Sequence, residues 1–320
     1  MPEWDERHLP ADLSGKVYAI TGTSSGIGAH IAYQLGKRGA TVLTGNRNLE
    51  KAENALKQLS REGDSYPGIR HFLCDLSSLD AVRAFAASIY ATEHQHLDGL
   101  ILNAGIMALP EKHVSVDGLE LQMATNVVGH HLLTALLLPL LLRSPAVAKV
   151  ISVSSLASNQ VKDPALWDDL NAHVNYRPWE VYGLTKIAAI QFRQGLRKLL
   201  ALHAQNHRVH VLSTHPGLTA TPLFNAPRGF SSTIFRAIRG LFMMPPEKGA
   251  LPTLRALLDD TIPDGSLLGP GGFTGTGGYP KVIPDFNQYL ALDPGLIEKL
   301  WNYCDRVTTA QWNFTPAAQA

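Results

Sequence analysis

Cysteine is almost missing from this chain. Among 320 residues there are two, Cys74 and Cys304. Two thiols cannot make a disulfide framework, and this usage is expected of a reduced, cytoplasmic setting. Charge is sparse as well, at 17% of residues with a net of +1. That balance offers no electrostatic footprint for nucleic acid or an anionic membrane surface. Long apolar runs are absent. The longest, residues 132–142, contains Pro139 and is too short to span a bilayer, so it reads as a buried helix. The opening MPEWDERH has no apolar core of a signal peptide, and no membrane anchor is expected. The 13 histidines are scattered. His130 and His131 are adjacent rather than at ligand spacing, so structural roles are expected and no metal. Nor is there a repeat, a low-complexity tract or a flexible linker.

What is abundant is apolar residues, 45% of the chain, enough for a large core. Strand-like and helix-like stretches alternate without a break in composition. The expected fold is α/β, a doubly wound parallel sheet of Rossmann type with helices on both faces. Residues 1–320 are read as a single domain. Strands are expected at 16–21, 40–44, 69–74, 97–102, 149–154 and 209–214. Helices are expected at 29–39, 49–62, 79–90, 119–142 and from Tyr182 to about His203.

The chain is organised around Tyr182-Gly-Leu-Thr-Lys186. A helix puts two residues four apart on one face. A lysine ammonium beside a phenol is expected to lower its pKa toward a range useful for proton transfer. The bland alternative is a surface helix with a snorkelling lysine.

Upstream, the first strand runs into Thr21-Gly-Thr-Ser-Ser-Gly26-Ile-Gly28. A glycine-rich turn between strand and helix lets backbone approach a pyrophosphate seated on the helix N-terminus. Gly22, Gly26 and Gly28 take the turn, approach and packing positions, with Ser24, Ser25 and Ile27 between them. After the second strand comes Gly45-Asn-Arg-Asn48. A carboxylate there would bind the 2′-hydroxyl of NAD. Arg47 would instead attract a 2′-phosphate, which favours NADP(H) while leaving NAD(H) possible. The alternative is that Arg47 only caps a loop. Asp75, past the third strand and followed by Leu76, suits an adenine amino group, an N-cap for a helix starting near Ser77, or both. Asn103-Ala104-Gly105 follows the fourth strand, where small residues allow a ligand to pass and Asn103 can brace strand ends. Asn126 lies within an apolar helix and needs partners.

Beyond the sixth strand are Pro216, Gly217 and Thr221. Residues 222–246 are rich in Phe and Met and read as an apolar lid over a substrate, with a packed helix pair as the plainer reading. The segment Gly271-Gly-Phe-Thr-Gly-Thr-Gly-Gly278 follows no clear strand and is read as a connecting loop. Residues 265–320 are taken as a C-terminal extension.

Together these motifs resemble the short-chain dehydrogenase/reductase family, in order and over nearly the whole chain. The resemblance implies a catalytic set of Ser155, Tyr182, Lys186 and Asn126. It implies cofactor positions at Gly22, Gly26, Gly28, Asp75 and Asn103, and a nicotinamide contact at Thr221. From Ser155 to Tyr182 is 27 residues, longer than is usual in the family and similar to its retinol-dehydrogenase-like branch. Asp75-Leu-Ser-Ser78 and Asn126-Val-Val-Gly-His130 point the same way. Enzymes of that branch that act on retinoids commonly carry a membrane anchor, so a retinoid substrate is not implied. The implied activity interconverts a hydrophobic ketone or aldehyde and its alcohol, with Tyr182 as general acid/base. A homodimer or homotetramer, paired through the helices at Asn126 and Tyr182, is expected by analogy. Two other readings stay open: a non-catalytic NADP-binding sensor or scaffold, and a light-dependent protochlorophyllide-type double-bond reductase.

Overall fold

The computed structural model describes residues 3–204, 208–219, 244–272 and 275–314. One sheet of eight strands organises it, in the order β3-β2-β1-β4-β5-β6-β7-β8. The strands are β1 Val17–Thr21, β2 Thr41–Asn46, β3 Ile69–Leu73, β4 Gly99–Leu102, β5 Ala148–Val153, β6 Val209–Thr214, β7 Leu267–Pro270 and β8 Pro280–Ile283. Every pairing is parallel except β7 with β8. Helices cover both faces, which is why β1, β4 and β5 are buried at every position and are mostly apolar. Edge strand β3 is only partly covered. The chain winds outward from β1 to β3, then restarts at β4 on the other side. The connections that leave β1 and β4 therefore run in opposite directions, and a crevice opens between them.

The helices are α1 Gly26–Gly36, α2 Leu49–Leu59, α3 Leu79–Tyr90, α4 Leu121–Leu142, α5 Pro178–His203, α6 Pro246–Leu258 and α7 Pro294–Thr308. Asn48 caps α2 by accepting from Lys51 N at 2.8 Å, and Ser78 caps α3. The cap of α3 is thus Ser78 and not Asp75. The Asp75 carboxylate turns back onto Ser77, accepting from its backbone N at 2.9 Å and its hydroxyl at 2.7 Å. Helix α4 has 22 residues, long and apolar enough to cross a membrane. However, 89% of its most apolar 18-residue window lies inside the protein, so the helix is core. It widens into a π turn over Ala124–Val128.

Several boundaries move from those expected. Helix α1 starts three residues earlier than its apolar pattern, because Gly26 and Ile27 already belong to its first turn. Strand β2 runs on to Asn46, since Gly45 and Asn46 pair with β3. The glycine-rich segment near 271–278 does follow a strand. It joins β7 to antiparallel β8, both four residues long, too short for periodicity to declare them. Most of the expected lid, residues 222–243, lies outside the described residues, and α6 begins at its far end.

The C-terminal helix meets α4 and α5 on the face expected to pair subunits. A side chain at Gly195 would collide with the Trp301 ring. Trp301 stacks on Phe192 at 5.9 Å and on Trp312 at 5.1 Å. His131 Nε2 lies 2.7 Å from Asp305 Oδ1, which also accepts from Trp312 Nε1 at 3.0 Å. No residue of α4 is exposed.

Candidate active site

At the crevice, Gly22 and Gly26 have φ of +74° and +61°, the left-handed region that favours glycine. A Cβ at Gly28 would overlap the Gly22 carbonyl and Asn103 Nδ2. Turn and helix are therefore in direct contact, and only the Asn103 amide stands between them and the end of β4. Asn103 Nδ2 donates to the carbonyls of Thr21 and Gly22, each at 2.9 Å, while its buried Oδ1 has no partner among the described residues. Ser25 makes no capping hydrogen bond, and the first turn of α1 has no acidic side chain. The N–H groups of that turn are available to an anion. A bare helix N-terminus, a close backbone approach and an unpaired buried carbonyl oxygen fit a dinucleotide.

A cleft of about 740 Å³ runs from this turn in both directions. One end is lined by Arg47, Asn48 and Lys51, the middle by Ser24, Ser25, Gly26, Ile27, Cys74 and Leu76. The other end holds Ala104, Gly105, Ser155, Tyr182, Lys186, Pro216 and Gly217. Asp75 is not on its wall, because its carboxylate faces Ser77. Thr221 lies outside the described residues.

At the second end, Ser155 stands just past β5 as the N-cap of a short turn, Leu156–Gln160. Its hydroxyl accepts from Ala157 N at 3.2 Å and is near enough to the Tyr182 phenol to favour the phenolate. Lys186, one turn along α5, donates from Nζ to the Val153 carbonyl at 3.0 Å and lies 5.6 Å from the Tyr182 ring centre. Asn126 is not on the cleft wall. It lines a cavity of about 20 Å³ behind, with His130, Ser152 and Lys186. Its side chain is fully used: Oδ1 accepts from Ile106 N at 2.8 Å, and Nδ2 donates to Ile106 O at 2.9 Å and Thr185 Oγ1 at 3.1 Å.

A family model described as short chain dehydrogenase matches residues 16–166. An uncharacterized oxidoreductase of Schizosaccharomyces pombe is 31% identical over 315 residues, covering 96% of this chain and 88% of its own length. The chain belongs to the short-chain dehydrogenase/reductase family. Human retinol dehydrogenase 13 is 35% identical over 260 residues, 79% of this chain and 75% of that protein, and the chain falls in the retinol-dehydrogenase-like branch. A crystal structure of an uncharacterized protein from Mycobacterium paratuberculosis superposes with TM-score 0.75 at 29% identity, covering 97% and 99% of the two chains. The RhlG/NADP active-site complex of Pseudomonas aeruginosa does so with TM-score 0.61 at 25% identity, covering 81% and 96%. This short-chain dehydrogenase/reductase is thus an oxidoreductase of CH–OH and carbonyl groups that binds a nicotinamide cofactor.

Electrostatics in this oxidoreductase differ from the sequence expectation. Burial pushes Tyr182 up to about 12, with the Ser155 hydrogen bond acting the other way. Burial also holds Lys186 down to about 8. Burial is the leading cause at both groups, and at Tyr182 the net direction is upward.

Other residues were missed because their links are long-range. Thr21 Oγ1 accepts from the backbone N–H groups of Asn103 and Ala104 at 3.1 Å each, and donates to His130 Nε2 at 2.9 Å. His130 Nδ1 then donates to the Asn126 carbonyl at 3.1 Å. One neutral imidazole thereby joins β1, β4 and the π turn. Asn46, buried at the end of β2, accepts from Thr23 N at 2.7 Å. It holds the glycine turn in the place where a ribose-reading carboxylate was sought. Lys51 faces the cleft with Arg47. Lys51 comes from the first turn of α2, whose Asn48 cap directly follows Arg47.

Proposed function

We propose that this protein is an NADP(H)-dependent oxidoreductase interconverting a hydrophobic ketone or aldehyde and its alcohol. The observation that carries the reading is the meeting of Ser155, Tyr182 and Lys186 at one end of a cleft whose middle is the bare N-terminus of α1. When bound, the nicotinamide would supply or accept hydride. Ser155 and Tyr182 would donate hydrogen bonds to the carbonyl oxygen as negative charge develops on it, and Tyr182 would then give up its proton. A phenol held near 12 is protonated at neutral pH, the form that serves reduction. Lys186, with a pKa near 8, would return a proton to Tyr182. The cavity beside Asn126 and Lys186 is large enough for one water on the path to solvent.

NADP(H) over NAD(H) is supported by Arg47 and Lys51 on the cleft wall and by the NADP named in the Pseudomonas complex. A hydrophobic substrate is supported by the retinol named in the human relative. A cytoplasmic setting is proposed on the two thiols, both buried and unpaired. Since α4 and α5 are covered by the chain's own C-terminal helix, we propose that they do not form a subunit interface.

The test is Tyr182→Phe, assayed with a panel of ketones and aldehydes and both cofactors in the dark. Turnover should fall by at least ~10²-fold, the scale of a lost general acid, while NADPH still binds. Survival of both binding and rate would remove Tyr182 from the chemistry. Absence of any dark turnover by the unaltered protein would remove the carbonyl reaction itself.

A further inference from the structure

An aromatic side chain that neither the cofactor nor the proton path requires stands at the reacting end of the cleft. Trp179, in the first turn of α5, is 49% exposed. Its ring meets Tyr182 edge to face, 6.1 Å between centres at 84°, and it lines the same cleft. Ile106, Met107 and Leu109, in the chain beyond β4, line that cleft as well. A half-exposed indole in a concave site offers a large, rigid surface at little entropic cost.

The surroundings are held in place. Ala108 has φ of +44°, a left-handed conformation that a non-glycine residue keeps only when its neighbours impose it. Its N–H donates at 2.7 Å to Gln122 Oε1, on a side chain with no exposed surface. Gln122 Nε2 donates to Tyr176 Oη at 3.0 Å and to the Pro178 carbonyl at 3.4 Å. Tyr176 Oη donates to the Leu109 carbonyl at 2.8 Å. The residues before Trp179 and the strained turn between Met107 and Leu109 are therefore pinned by one buried amide. Flexible apolar surface would adapt to many shapes, whereas an indole on a pinned backbone beside a pinned turn favours one.

We propose that Trp179, with Met107 and Leu109, forms a preorganised aromatic slot that selects flat, aryl or conjugated carbonyls, and their alcohols, over puckered aliphatic ones of equal size. This rests on the carbonyl reaction proposed above and names its substrate class. A flat ring presents its face or edge to the indole, whereas a saturated ring of the same atom count is thicker and lacks the quadrupole.

Acetophenone and cyclohexyl methyl ketone make the comparison, being alike in size and different in flatness. The ratio of their kcat/KM values is measured for the unaltered protein, Trp179→Phe and Trp179→Ala. Intrinsic reactivity cancels between proteins, as does any disturbance of Tyr182 that both substrates feel. The ratio should fall about tenfold in Trp179→Ala, the scale of a lost aromatic contact, and less than about threefold in Trp179→Phe. Equal loss for both ketones in Trp179→Ala overturns the slot.

A second readout needs no turnover. Benzamide, added to the cofactor-free protein, should change tryptophan emission saturably, cyclohexanecarboxamide should do so far less, and the benzamide change should vanish in Trp179→Phe. A change that persists in that variant, or no change in the unaltered protein, overturns the proposal. Failure of every ketone to turn over, with the benzamide change intact, refutes the carbonyl reaction and leaves the slot.

Discussion

Arg47→Ala tests which nicotinamide the cleft takes. Arg47 is exposed at the end of β2, and Lys51 lies one turn into α2 on the same cleft wall. No hydrogen bond or ion pair among the described residues engages the Arg47 guanidinium, so a ligand phosphate would not compete with an existing partner. A hydrogen bond to a charged group contributes about 1.5–3 kcal/mol, which corresponds to ~10–100-fold in affinity. Arg47 is at a solvated rim, where screening weakens such bonds, and Lys51 would retain part of the attraction. The lower end applies: NADPH affinity should fall about tenfold, and NADH affinity should change less than about threefold. Lys51→Ala added to Arg47→Ala should cost NADPH more and NADH little. Dissociation constants from the fluorescence of each reduced cofactor measure this directly. The NADPH advantage should also shrink between low and high salt in the unaltered protein, and hardly at all in the double variant. Equal losses for the two cofactors, or a salt-independent NADPH preference, would refute the reading of Arg47.

Acid should destabilise the fold before the carboxylates titrate. Burial holds His130 and His215 down to about 4, against about 6.5 in an unfolded chain. Between those values the unfolded state binds the protons that the folded state refuses, so stability falls as pH drops from about 6.5 toward 4. The combined loss is on the order of a few kcal/mol, visible as a melting temperature that declines through pH 6 and 5; a flat profile from pH 7 to 5 would contradict these assignments. Light scattering should give an assembly with the α4 and α5 face unpaired, most simply the mass of one chain. A dimer whose cross-links fall on α4 or α5 would contradict the covered face.

Much of this protein was written locally. Strand 209–214 and helix 79–90 agree with the structure residue for residue, because their periodicity and end signals lie within a dozen residues. The glycine turn, Arg47, and the spacing of Tyr182 and Lys186 were legible for the same reason: each is a short pattern whose backbone geometry follows from its own residue types. Tertiary structure decided the rest. Asn126 turns to Ile106 and Thr185, and His130 to Thr21, only after helices far apart in sequence are packed. β7 and β8 are strands because an existing edge supplies their hydrogen bonds. The pKa of Tyr182 moves opposite to the local expectation because burial depends on everything packed around it, whereas neighbouring charge can be read from the sequence. Trp301 packs on His131 of α4 and Phe192 of α5 from more than a hundred positions further along the chain than either residue. Composition determined that a large apolar core would form, and only the folded chain determined which surfaces that core would use up.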